Sequence, residues 1–137
     1  MRKLVFISIA VLLVSACGKY EEGPKLSLKS KEKRLCREWK IDKLIENEID
    51  ITAEHINMLT KHEIKFMDFG SVKETIGNTI LAKAWEWDKK KENIIIDYTL
   101  LEKTTTIECT IRRLTSKEFW YTTTIDSKDY EYHWAAK

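Results

Sequence analysis

The chain of 137 residues carries 24 lysines and arginines against 22 acidic residues, with 43% hydrophobic side chains and only four glycines. That length makes one domain, and a formal charge of +2 gives no field for binding nucleic acid, so no nucleic-acid partner is expected. Four glycines also leave no material for a glycine-rich phosphate loop.

Arg2 and Lys3 precede an apolar run, Leu4 to Val14, and Val14-Ser15-Ala16-Cys17 closes it with small residues before a cysteine. The run is shorter than the ~20 residues that span a bilayer, which is the arrangement of a signal peptide. Its last four residues resemble the lipobox of bacterial lipoproteins, with valine where leucine is commoner. The resemblance implies that residues 1–16 are removed and that Cys17 becomes a lipid-bearing N-terminus. The alternative is an ordinary secretory signal cut near Ala16, leaving a soluble product. Loss of Arg2 and Lys3 takes the whole positive surplus with it, so the remaining chain is neutral. The membrane partner is then reached through lipid on Cys17, where each buried CH₂ contributes ~0.8 kcal/mol and more than one acyl chain makes the anchor stable.

Gly18 to Arg34 holds the only proline, two of the four glycines and a dense mix of charges. That composition reads as a flexible tether, reaching up to ~55 Å at ~3.3 Å per residue. Glu21-Glu22 resembles the acidic export signals that send lipoproteins of Bacteroidota to the cell surface, with solvated linker charge as the alternative. No aspartate follows Cys17, which is compatible with sorting to the outer membrane, on its periplasmic or its outward face.

The folded domain is expected over 35–137. Trp39, Ile41 and Ile45 set a strand over 36–46, and Thr52 is placed to cap a short helix over 53–61 with Ile56 and Leu59 on one face. The rest alternates with period two. Strands are expected over 62–68, 71–77, 80–88, 92–98, 104–114, 117–125 and 129–135, separated by Asp-Phe-Gly, Gly-Asn, a charged loop at 88–93 and Asp-Ser. Eight antiparallel strands in a meander predict an all-β fold that closes into a barrel, which removes exposed edges. An open sandwich is the alternative.

Cys36 and Cys109 remain after Cys17, in a compartment where disulfides persist. A bond between them would close a loop of roughly 70 residues and contribute up to ~4 kcal/mol in the chain-entropy model. Two separate buried thiols are the other reading.

Three stretches resemble the small lipocalin-like lipoproteins of Bacteroidota. Arg37-Glu38-Trp39 opens the domain where lipocalins carry Gly-x-Trp. Phe66-Met67-Asp68-Phe69-Gly70 followed by Trp85-Glu86-Trp87-Asp88 gives strand, turn and an aromatic hairpin. Ile111 to Phe119 is similar to a late strand join of these domains. Together they cover most of 35–135, although Arg37 replaces the motif's glycine and the Thr-Asp-Tyr motif has no counterpart. The resemblance implies a lipocalin-like barrel in the cell envelope, with Trp39 plugging its closed end.

No enzyme is expected. His55, His62 and His133 sit in no catalytic motif and lack the spacing of a zinc site, so neither metal nor cofactor is expected. The acids, scattered among lysines, read as a solvated strand surface. Binding is the stronger class. Trp85 and Trp87 share one strand face, and with Phe119, Tyr121 and Tyr132 they are the candidate ligand-binding residues, for a small apolar or amphipathic molecule at the barrel mouth. The alternative is a filled barrel that serves as a protein-interaction or envelope-assembly module, with a protein partner on its outer surface. Core packing of Trp85 and Trp87 is the structural alternative to either role.

Overall fold

Apolar and polar residues alternate along each segment from Glu38 onward, and such a chain buries one face only by pairing its strands. The computed structural model, which describes residues 30–137, does this with β1 (Glu38–Glu46), β2 (Ile49–Asp50), α2 (Thr52–Leu59), β3 (His62–Met67), β4 (Ser71–Ile76), β5 (Thr79–Trp87), β6 (Asn93–Leu100), β7 (Lys103–Leu114), β8 (Glu118–Ile125) and β9 (Lys128–Ala136), all preceded by α1 (Lys31–Leu35). The signal peptide, Cys17 and the tether as far as residue 29 lie outside the described residues.

Neighbouring strands pair antiparallel in the order β1-β3-β4-β5-β6-β7-β8-β9, and β9 returns to β1 from Trp39↔Ala136 to Glu46↔Tyr130. The eight long strands therefore close a barrel, as the meander predicts. β2 pairs only with the tip of β1. Three two-residue hairpin loops, Asn47-Glu48, Leu101-Glu102 and Asp126-Ser127, hold both residues at positive φ. This is the type I′ geometry whose twist matches that of paired strands.

All of α1 except Leu35 falls within the segment expected to be tether. The Ser30 side chain accepts a hydrogen bond from the Lys33 amide at 3.2 Å, Glu32 lies in the first turn, and Lys33 and Arg34 lie in the last. Leu35 is its one apolar residue and is completely buried. A single apolar side chain in a charged run gives no periodicity to read, so this short helix is invisible until its docking site exists. It lies across one end of the barrel. Its Arg34 donates to the Leu114 carbonyl at 2.9 Å, and Trp39 donates its indole N–H to the Leu35 carbonyl at 3.0 Å. Trp39 is fully buried there, so it plugs the closed end.

Thr52 begins α2 instead of capping it. Its hydroxyl is engaged with Asp50 at 2.5 Å and with the backbone of Leu44. Cys36 and Cys109 are free thiols, which replaces the disulfide reading. Cys36 caps the end of α1, whereas Cys109 faces the core from the middle of β7.

The half of the interior nearer α1 is filled by rings in edge-on contact. Trp87, Trp85, Phe66 and Phe119 follow one another at centroid separations of 5.7 Å, and Trp39 meets Phe119 at 5.6 Å. Such pairs add ~0.5–1.5 kcal/mol beyond the area they bury. From Phe119 the series continues through Tyr121 and Tyr132 to Trp134.

Candidate functional site

All five candidate ligand residues stand on inward strand faces, but the barrel uses them differently. Phe119 and Tyr121 are buried in the aromatic series, and Tyr132 stacks between Tyr121 and Trp134. Trp85 and Trp87 sit at the other extreme of β5, beside α1, where they meet at 5.7 Å with an interplanar angle of 82°. These two border a cleft of about 480 Å³ together with Phe69, Asp68, Cys36 and Glu32. The aromatic cleft is thus at the α1 end and not at the mouth framed by the β1–β2, β6–β7 and β8–β9 loops.

The chain builds this cleft from a tight turn. Between β3 and β4, Asp68-Phe69-Gly70 forms one turn of 3-10 helix in which Phe69 stands at φ 70° and Gly70 at φ 86°. A Cβ on Gly70 would come within 3.1 Å of the Trp85 carbonyl oxygen, so glycine is required both by the torsion and by the close approach to β5. Trp85 donates its indole N–H to the Met67 carbonyl at 3.0 Å, which ties the turn to β5 from the other side. The outcome is that Phe69 is left fully exposed over the cleft, a large apolar ring in a backbone region bulky residues seldom adopt. The indole nitrogen of Trp87 is buried without a hydrogen-bond partner.

Cys36, beside the cleft, is a poor nucleophile. Burial, a hydrogen bond to Asp68 and the charges of Asp68 and Glu32 push its thiol up to about 12. Burial likewise pushes Cys109 up to about 12, although Lys83 and a hydrogen bond to Thr123 pull the other way. Neither thiol supplies thiolate near neutral pH.

A second group of interior residues escapes a reading that treats scattered acids as surface. Glu74 accepts from His62 Nε2 at 2.6 Å and from the Lys83 ammonium, and Lys83 lies 4.7 Å from the Tyr98 ring centroid. His62 Nδ1 is 2.8 Å from His55 Nε2 on α2. The carboxylate is the acceptor from His62 Nε2, and the tautomers of the two rings set which nitrogen donates between His62 and His55. Burial opposes the charge on Glu74, but the hydrogen bond from His62 and the Lys83 and His62 charges outweigh it and hold the carboxyl below its usual range. The signal was parity. Glu74 falls between inward Val72 and Ile76 on β4, and Lys83 shares the face of Trp85 and Trp87 on β5. His55 and His62 do meet, though α2 stops at Leu59 and His62 belongs to β3.

Among the described residues, no group of three or more His, Cys, Asp or Glu is arranged to hold a metal ion. No protein-family model matches the chain, and no curated protein matches it.

Proposed function

We propose that the protein is a lipid-anchored, lipocalin-like barrel of the bacterial cell envelope that binds a small amphipathic molecule in the cleft of Phe69, Trp85 and Trp87. The observation that carries this reading is Phe69, wholly exposed at positive φ beside two tryptophans. An apolar ring left in water next to an aromatic cleft gains by covering its surface, at about 25 cal/mol per Å² removed from water. Glu32, Asp68 and Glu86 border the same space and suit a polar or cationic group on the ligand.

The cleft is bordered by α1, the element through which the lipid-bearing segment enters the fold. Both described thiols are held protonated, which favours binding over nucleophilic chemistry.

Native mass spectrometry of the protein purified from membranes in mild detergent tests the reading, compared with its denatured mass. The expected result is an adduct lost on denaturation, absent or at least about tenfold depleted in Phe69→Ala. Phe69→Ala itself should change unfolding free energy by no more than about 0.5 kcal/mol, since the ring touches water and not the core. A bare native mass after incubation with envelope lipid extract removes the ligand proposal. The denatured mass also reports lipid on Cys17, and a Cys17→Ser chain should leave the membrane fraction.

A further inference from the structure

β3 pairs with β1 only from Glu38↔Lys65 to Lys40↔Glu63, while β1 runs on to Glu46. The place beside the rest of β1 is taken by α2. At its start the Ile51 amide donates to the Leu44 carbonyl, and the Thr52 hydroxyl accepts from the Leu44 amide. Beyond its end the Lys61 carbonyl accepts from the Gly77 amide at 2.7 Å. Between these two fastenings α2 buries none of its residues. A cleft of about 170 Å³ lies against it, bordered by Ile56 and Leu59 on one side and Lys40 and Ile41 on the other. Among the described residues, the one side-chain hydrogen bond from the middle of α2 to the barrel is His55 Nε2 to His62 Nδ1, at 2.8 Å.

That bond tolerates one added proton and no more. With both rings neutral, or with one of them imidazolium, a donor can still face a bare ring nitrogen. With both protonated, two N–H groups and two positive charges meet, and the bond is lost. The neighbouring groups do not offset a second charge. Glu74 of β4 lies behind His62, 2.6 Å from its Nε2, and already carries the Lys83 ammonium of β5. Glu63 of β3 is bridged to Lys61 and Lys137. Lys40 of β1 is itself basic, and Tyr132 of β9 stands 6.4 Å from the His62 ring.

We propose that α2 is a proton-operated flap: protonation of both His55 and His62 lifts it from the barrel and opens the wall beside β1 onto the interior cluster of His62, Glu74 and Lys83. Its ends stay fastened at Leu44 and Lys61, with Thr60 at φ 55° as the bend before β3, so the strands keep their pairing. Burial and the charge of His62 lower the His55 pKa, with Glu74 pulling the other way from beyond His62. A ring released into water regains its ordinary value of 6.5. Opening therefore takes up a proton and gains up to about tenfold for each pH unit below ~6.5. The flap is at the opposite end of the barrel from the Phe69 cleft and does not rest on the ligand reading.

Hydrogen exchange of the full chain in mild detergent tests this, from about pH 7.5 to about pH 4.5, with rates corrected for the intrinsic pH dependence of exchange. Protection of α2 should fall at least about tenfold across that range while β6 to β9 keep theirs. Nitrogen-15 spectra should show both His55 and His62 as imidazolium in the interval where α2 loses protection. His55→Gln removes the second proton and leaves a polar partner for His62 Nδ1, so its α2 should show no pH step. Phe69→Ala should show the same step as the parent. Protection of α2 that does not change with pH would overturn the flap, as would a step that persists in His55→Gln. Loss of protection in α2 and the strands together would also overturn it, since that is unfolding of the whole barrel.

Discussion

At the scale of single residues, the buried trio of His62, Glu74 and Lys83 is the costly feature of this barrel. Lys83 and Glu74 keep only 8% and 10% of their side-chain surface in water. Two charges so placed are stable together because each satisfies the other and the His62 N–H satisfies the second carboxylate oxygen. Removing one partner leaves the other buried and uncompensated. Lys83→Met should therefore destabilise the fold by about 3–5 kcal/mol, whereas Lys83→Met combined with Glu74→Leu should recover most of that loss. Urea unfolding of the two variants reads the difference directly. A loss of the same size in the double variant would mean that the ion pair itself is strongly stabilising.

At the scale of elements, three of the open-end hairpin loops use the same backbone and differ in how well the residues suit it. Asn47 and Asp126 accept positive φ readily, but Leu101 and Glu102 do not, and Leu101 is 92% exposed with nothing to hold its side chain. Replacing Leu101-Glu102 by Asn-Gly keeps the turn and removes its strain. The expected gain is about 1 kcal/mol, read as a higher urea midpoint with an unchanged slope. α1 shows the opposite dependence. Its five residues are too few to be helical alone, and it exists because Leu35, Arg34 and the Trp39 indole hold it across the end of the barrel.

At the scale of the whole molecule, stability follows the protonation of groups the barrel buries. Burial, and then the nearby charge of His62, lowers the His55 pKa below its ordinary 6.5, against the pull of Glu74. A histidine with a lowered folded pKa contributes stability that is complete above pH ~6.5 and is lost as pH falls through the folded value. Glu74 acts in the same direction, losing its contribution as pH falls below the ordinary carboxylate range. The unfolding free energy should therefore begin to fall below pH ~6.5 and drop more steeply at lower pH. His55→Gln should flatten the upper part of that curve and leave the acid part in place. Guanidinium titrations at closely spaced pH values decide it.

The closed all-β meander was legible because period two survives in all eight strands and short polar turns leave antiparallel pairing as the only local connection. Trp85 and Trp87 were legible as a pair on one face, and Asp68-Phe69-Gly70 as a turn. That these stretches would share a cleft was not, since their meeting depends on the β4–β5 register and on Gly70 passing close to the Trp85 carbonyl. Phe119, Tyr121 and Tyr132 look the same in sequence as Trp85 and Trp87. Only packing separates rings that fill the barrel from rings that reach its surface. The same holds for charge: alternation put Glu74 and Lys83 on inward parities, but two long-range contacts were needed to make an interior ion pair stable there. Local pattern fixes which face of a strand is buried, because side-chain direction follows from the backbone period. Which buried groups meet and which end of the barrel is closed depend on register between distant strands, and only the folded chain decides them.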